Sequence, residues 1–106
     1  MRIKDITSEY IEFDNGNFIT FSHYQDCCEY NYADFKQIEE MAYHYDFDEN
    51  LLFEGSDGGF RFGDNRRMFY IPCYSEQNGY YSTDIDICYS TKDRIINELN
   101  TNCDWA

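Results

Sequence analysis

His23, Cys27 and Cys28 fall within one short stretch, FSHYQDCCEYNYADF (residues 21–35), with Asp26 and Glu29 beside them. Neutral imidazole and thiolate are the donors that Zn²⁺ prefers, so the first chemistry this stretch suggests is one structural zinc ion held by His23, Cys27 and Cys28. Adjacent cysteines on a regular strand point to opposite faces, so both reach one ion only if residues 26–29 form a loop. A fourth ligand has to come from elsewhere in the chain, with Cys73, Cys88 and His44 as the candidates, and the spacing matches no standard zinc finger or ribbon. A competing reading is a pair of buried free thiols with His23 hydrogen-bonded nearby, because cysteine is among the most buried residue types. A third makes Cys27 or Cys28 a nucleophile at a helix N-terminus with His23 as its base. Asp26 and Glu29 oppose a thiolate, and no glycine-rich oxyanion or phosphate loop accompanies the thiols, so the expectation is a protein that is not an enzyme.

The second concentration of chemistry is carboxylate. The formal charge is −13 over 106 residues, and residues 26–57 hold ten Asp and Glu against the single Lys36. Of these, Asp34, Glu39, Glu40, Asp46, Asp48 and Glu49 are the candidate partner-binding residues. Such a surface repels phosphates within the Debye length, which argues against direct contact with nucleic acid and for a basic protein partner. Arg61, Arg66, Arg67, Lys92 and Arg94 come later in the chain, so the expectation is a molecule with separated acidic and basic regions. Tyr30, Tyr32, Tyr43, Tyr45, Tyr80 and Tyr81 are candidate short-range anchors, since tyrosine buries a ring while its hydroxyl stays wet.

These groups need a scaffold, and the length suits one domain spanning 1–106. Eleven Tyr and nine Phe bring the aromatic share to 20%, which argues against disorder. The apolar runs are too short for a membrane span and MRIKDITSEY lacks a signal-peptide core, so a cytoplasmic protein is expected. An odd count of five Cys suits reduced thiols or metal ligands better than a disulfide framework.

YIEFDNGNFITFSH reads as a hairpin, with strands near Tyr10 to Phe13 and Phe18 to Ser22 around Asn15-Gly16. From Tyr32 onward, Phe35, Ile38, Met41, Ala42 and Tyr45 recur at helical spacing and predict the main helix. Residues 60–90 read as strands with turns at Gly63-Asp64-Asn65 and Asn78-Gly79, and Pro72 suggests an edge strand or bulge. Asp84-Ile85-Asp86-Ile87 alternates, so Ile85 and Ile87 should face inward. Thr91 could cap a short C-terminal helix over TKDRIINELN. The predicted class is therefore α+β: an antiparallel sheet, hairpin plus meander, packed on one main helix.

His23 to Glu29, read as H-x-Q-D-C-C-E, together with Asn78-Gly79-Tyr80-Tyr81-Ser82, resembles a family of small uncharacterised phage and prophage proteins over roughly Phe13 to Ile87. By type, a small acidic phage protein is similar to the anti-CRISPR proteins, in particular inhibitors of type II-A, Cas9-like effectors, a class into which a zinc-containing member would fit. The resemblance implies a host-cytoplasmic inhibitor that binds a basic nucleic-acid-processing defence protein, such as a Cas effector nuclease, and blocks nucleic-acid loading without turnover. The alternative is a metal-stabilised phage structural or ligand-binding module. Either way, the purified protein is expected to leave the mobility of duplex DNA unchanged in a gel assay at physiological salt.

Overall fold

The computed structural model describes residues 1–23, 29–77, 79 and 81–105. Among these residues ten strands run in chain order: β1 (Ile3–Ile6), β2 (Tyr10–Phe13), β3 (Phe18–Ser22), β4 (Tyr30–Ala33), β5 (Leu52–Ser56), β6 (Gly59–Gly63), β7 (Met68–Glu76), β8 (Asp84–Ser90), β9 (Ile95–Asn102) and β10 (Asp104–Trp105). One sheet has the order β1-β2-β3-β8-β9, all antiparallel. In the other, β5, β6 and β7 form an antiparallel meander, and the second half of β7 is flanked by antiparallel β4 and parallel β10. The two sheets face each other across one core, in which Ile11, Phe13, Ile19, Ile85, Ile87 and Tyr89 of the first meet Phe60, Phe62, Phe69 and Ile71 of the second.

Strand is 54% of the described residues and helix 8%, so the α+β expectation is corrected to an all-β fold. The predicted main helix is absent. Its first residues, Tyr32 and Ala33, belong to β4, and the remainder forms two short 3-10 turns, Phe35–Gln37 and Glu40–His44. Ile38 and Glu39 between them are extended, with ψ of 144° and 135°, and neither Asp34 nor Glu39 caps with its side chain. Phe35, Ile38 and Ala42 are buried as the pattern requires, but a spacing of three serves a 3-10 turn as well as an α-helix. Met41, which a helix would have buried with them, is 57% exposed.

The second expected helix is also strand. Thr91 does accept N–H bonds from Asp93 and Arg94, as an N-cap would, but its own N–H donates to the Arg94 carbonyl and closes the β8–β9 turn. Ile95 to Asn102 then pairs with all of β8, an inner-sheet strand that would otherwise be left with an open edge.

Other local readings correspond to what forms. The β2–β3 hairpin has the expected limits, and Gly16 takes φ +89° while its N–H donates to the Phe13 carbonyl. Ile85 and Ile87 are fully buried and Asp86 is exposed. Pro72 lies within β7, not on an edge. Its carbonyl accepts the Asp34 N–H where the β4 ladder ends, so its missing donor falls where β7 no longer has a strand to pair with on that side. Opposite it, Gly59 is obligatory, because a Cβ there would lie 2.2 Å from the Ile71 carbonyl oxygen.

The connection between β4 and β5 is fastened by Asp64 in the β6–β7 turn. Its carboxylate accepts the Tyr45 hydroxyl at 2.8 Å, the Arg66 and Arg67 N–H groups at 2.9 and 3.1 Å, and the Arg66 guanidinium at 3.1 Å. Burial alone would raise its pKa, but these donors outweigh burial and hold the carboxyl well below the usual carboxylate range. A depressed folded-state value means the stabilisation is complete above the unfolded carboxylate's pKa, about 3.9, and is lost as pH falls from there toward the folded value. Asp64→Asn is expected to cost about 2–3 kcal/mol at pH 7 in urea unfolding, with the gap from wild type narrowing as pH drops below about 4.

Candidate functional site

At one end of the two sheets lies a buried polar cluster built from strand ends. His23 leaves β3 and Glu29 precedes β4, and the His23 Nε2 lies 2.8 Å from Glu29 Oε1 with side chains 8% and 1% exposed. At that distance Nε2 donates to the carboxylate. Asn31 points inward from β4, between the outward Tyr30 and Tyr32, and is 1% exposed. Its amide nitrogen donates to the Ser82 and Asp84 carbonyls at 3.0 and 2.9 Å, and lies 3.2 Å from His23 Nε2. Two protons serve two carbonyls, so the histidine contact is one of packing. The Asn31 Oδ1 accepts the Ser75 hydroxyl, and Gln77 donates to Ser75 and to the Ser82 carbonyl while accepting the Tyr81 N–H.

The cluster thus joins the two segments singled out in the sequence. His23 and Glu29 bracket the first, and Gln77, Tyr81 and Ser82 surround the second. Asn31, Ser75 and Gln77 were missed. The signal available was a polar residue alternating with aromatics in YNYA, at the position whose neighbours two away face the core. Cys27 and Cys28, and with them the zinc expectation, lie outside the described residues. Among the described residues no group of three or more His, Cys, Asp or Glu is placed to hold a metal. Of the fourth-ligand candidates, His44 is exposed on a 3-10 turn, Cys88 faces outward on β8 opposite Thr20 and Glu98, and Cys73 is buried against Cys103. Burial, with Glu98 and Asp86, pushes the Cys88 thiol up and away from reactivity.

The six acidic candidates do share one piece of structure, the connection over residues 34–50. Glu40, Asp46, Asp48 and Glu49 are exposed, and Asp34 is partly so. Among the described residues two are in ion pairs, Glu39 with the Arg67 guanidinium and Asp46 with the Met1 amino group at 2.9 Å, while Asp34 accepts the Gln37 amide at 2.7 Å and Asp48 the Asn50 N–H at 2.8 Å. The Met1 amino group pulls the Asp46 pKa down. The expected separation of acidic and basic regions is corrected here. Arg66 and Arg67 fold back on this connection, Arg66 onto the Asp46 carbonyl at 2.8 Å and over the Tyr45 ring, and Arg61 pairs with Glu54. Of the aromatic candidates, Tyr43 is exposed on the second 3-10 turn. Tyr30 and Tyr32 stack at 5.0 Å on the outer face of β4, with Tyr74 beyond. Tyr45 is packed against Phe47 and Phe69, and Tyr80 lies outside the described residues.

The profile of a family described as a domain of unknown function, DUF7448, matches residues 1–87. The chain belongs to that family. The match ends within β8, and β9 and β10, which complete the two sheets, follow it. No curated protein and no solved structure matches the chain. Among the described residues no helix is long and apolar enough to cross a membrane.

Because Asn31 binds both β7 and the start of β8, its loss takes the acceptor from the buried Ser75 hydroxyl and the amide donor from the Asp84 carbonyl, while the Ser82 carbonyl keeps only Gln77. Asn31→Leu is expected to destabilise the fold by about 3 kcal/mol in urea unfolding. Asn100→Ala, which removes amide bonds to Asp84 and Asp86 on the solvent face, should cost less than about 0.5 kcal/mol.

Proposed function

We propose that this domain is a stoichiometric binding protein that docks its acidic connection on a basic surface of a nucleic-acid-handling protein and excludes nucleic acid there without turnover. The observation that carries this reading is the two-sidedness of residues 34–50. Phe35, Ile38, Ala42 and Phe47 are buried in the core, whereas Met41 and Tyr43 are exposed, 57% and 43%, beside the exposed carboxylates Glu40, Asp46, Asp48 and Glu49. Apolar anchors set among carboxylates suit a channel lined with Lys and Arg, where carboxylates take the place of phosphates and a ring and a thioether supply short-range packing. Anchoring on the inner side lowers the ordering cost of binding. The net charge of −13 adds long-range attraction to such a partner. The resemblance to small phage proteins, and by type to anti-CRISPR inhibitors of Cas9-like effectors, supports that class of target.

Glu39 is left out of the test because Lys in its place would face Arg67. Glu40→Lys, Asp48→Lys and Glu49→Lys together change exposed residues that form no ion pair among the described residues, so each should shift stability by less than about 0.5 kcal/mol. Binding to a purified type II-A Cas9 effector without guide is expected to weaken at least about tenfold in the triple variant, and steeply with salt for the wild type. A wild-type affinity indifferent to salt, or a triple variant that binds as well as wild type while folded, would overturn the reading.

A further inference from the structure

Two cysteines outside the predicted site face each other. The parallel pairing of β10 with β7 sets Asp104 beside Tyr74 and Trp105 beside Ser75, so one step back along the same register Cys103 stands beside Cys73. Both point into the core, 7% and 0% exposed, and their thiols are in hydrogen-bond contact. Neighbouring strands lie about 4.8 Å apart, and same-facing residues across such a pair fall within the Cα separation of about 4.4–6.8 Å that a disulfide spans.

We propose that Cys73 and Cys103 are a redox-modification site, forming an intramolecular disulfide that locks β10 to β7 when the protein meets a low-molecular-weight disulfide such as oxidised glutathione. Cys103 is the entry point. It is the more accessible of the two, and the Cys73 S–H donated to it favours its thiolate against the opposing effect of burial. The Cys103 thiol loses its proton and its sulfur attacks the glutathione disulfide, forming a mixed disulfide and releasing one glutathione thiolate. Cys73, whose thiol is pushed up by donation to Cys103 and by burial, then gives up its proton and attacks the Cys103 sulfur. The second glutathione thiolate leaves, and two electrons have passed from the protein to the oxidant.

The consequence reaches the polar cluster. The Cys103 N–H donates to the Thr83 carbonyl at 2.7 Å, between Ser82 and Asp84, whose carbonyls hold the Asn31 amide. On β7, Cys73 is two residues from Ser75, which binds the same Asn31. The bond would therefore clamp the strands that frame the cluster from both sides.

The test is equilibration of the full chain with glutathione redox buffers, followed by alkylation of remaining thiols and peptide mapping. The expected result is a linked Cys73–Cys103 peptide, with half-oxidation at a [GSSG]/[GSH]² ratio at least about tenfold lower in the native protein than in the chain unfolded in guanidinium. The same pair should oxidise in the Cys27→Ser, Cys28→Ser, Cys88→Ser background. A stable glutathione adduct on Cys103, pairing of either residue with another cysteine, or equal ratios for native and unfolded chains would each overturn the proposal. Wild-type mapping decides the matter even if a variant fails to fold.

Discussion

Phe47 is the constraint from which most of this molecule follows. Its ring sits against Phe13 of the first sheet and against Phe62 and Phe69 of the second, with centroid separations of 5.5–5.6 Å, and it is 2% exposed. It belongs to neither sheet. It comes from the long connection after β4, which must cross the open end of the sheets with this side chain turned in. Rings of this size bring a large apolar area and directional edge contacts, so burying Phe47 outweighs the loss of regular structure on either side of it. Once Phe47 is inside, Asp46 and Asp48 on either side of it turn outward, as the exposed Glu49 does. The charged surface proposed for partner binding is thus a by-product of core packing.

The same connection explains where the scarce cations go. Tyr45 packs on Phe47, and its hydroxyl reaches the Asp64 carboxylate, which also organises the turn carrying Arg66 and Arg67. Those guanidiniums lie over Tyr45 and Phe69 and engage Asp64 and Glu39. Exposed ion pairs of this kind contribute little stability each, but they neutralise one flank of the connection and leave Glu40, Asp48 and Glu49 as its outward charge.

At the other end of the molecule, hydrogen bonding takes over from ring packing. The chain passes from β3 to β4 and from β7 to β8 by changing sheets, so strand ends there cannot all satisfy their backbone groups within a ladder. Asn31 supplies what is missing, with its amide on the Ser82 and Asp84 carbonyls and its oxygen taking the Ser75 hydroxyl. His23 and Glu29 pack beside it as a buried pair. A buried polar group is tolerable only when its partners are complete, which is why a single inward asparagine ties together strands from both sheets.

Local chemistry was legible wherever the answer depended on neighbours in the chain. Asn15-Gly16 dictates a reversal because glycine alone takes positive φ without strain, and the alternation of Ile85 and Ile87 with Asp84 and Asp86 follows from the two-residue period of a strand. The acidity of residues 34–49 and its location on one continuous segment could also be read directly. The helix expected from Tyr32 to Tyr45 could not be decided that way, because spacings of three and four are shared by α-helix and 3-10 turn, and the choice was made by β4 pairing with β7 and by the distance Phe47 has to travel. Thr91 makes the bonds of a helix cap in both cases, and only the open edge of β8 selects the hairpin. The role of Asn31, the return of Arg66 and Arg67 to the acidic connection and the meeting of Cys73 with Cys103 join residues 20 to 53 positions apart, which no local periodicity encodes. Sequence determines the face a side chain prefers; the pairing of distant strands determines what that face meets.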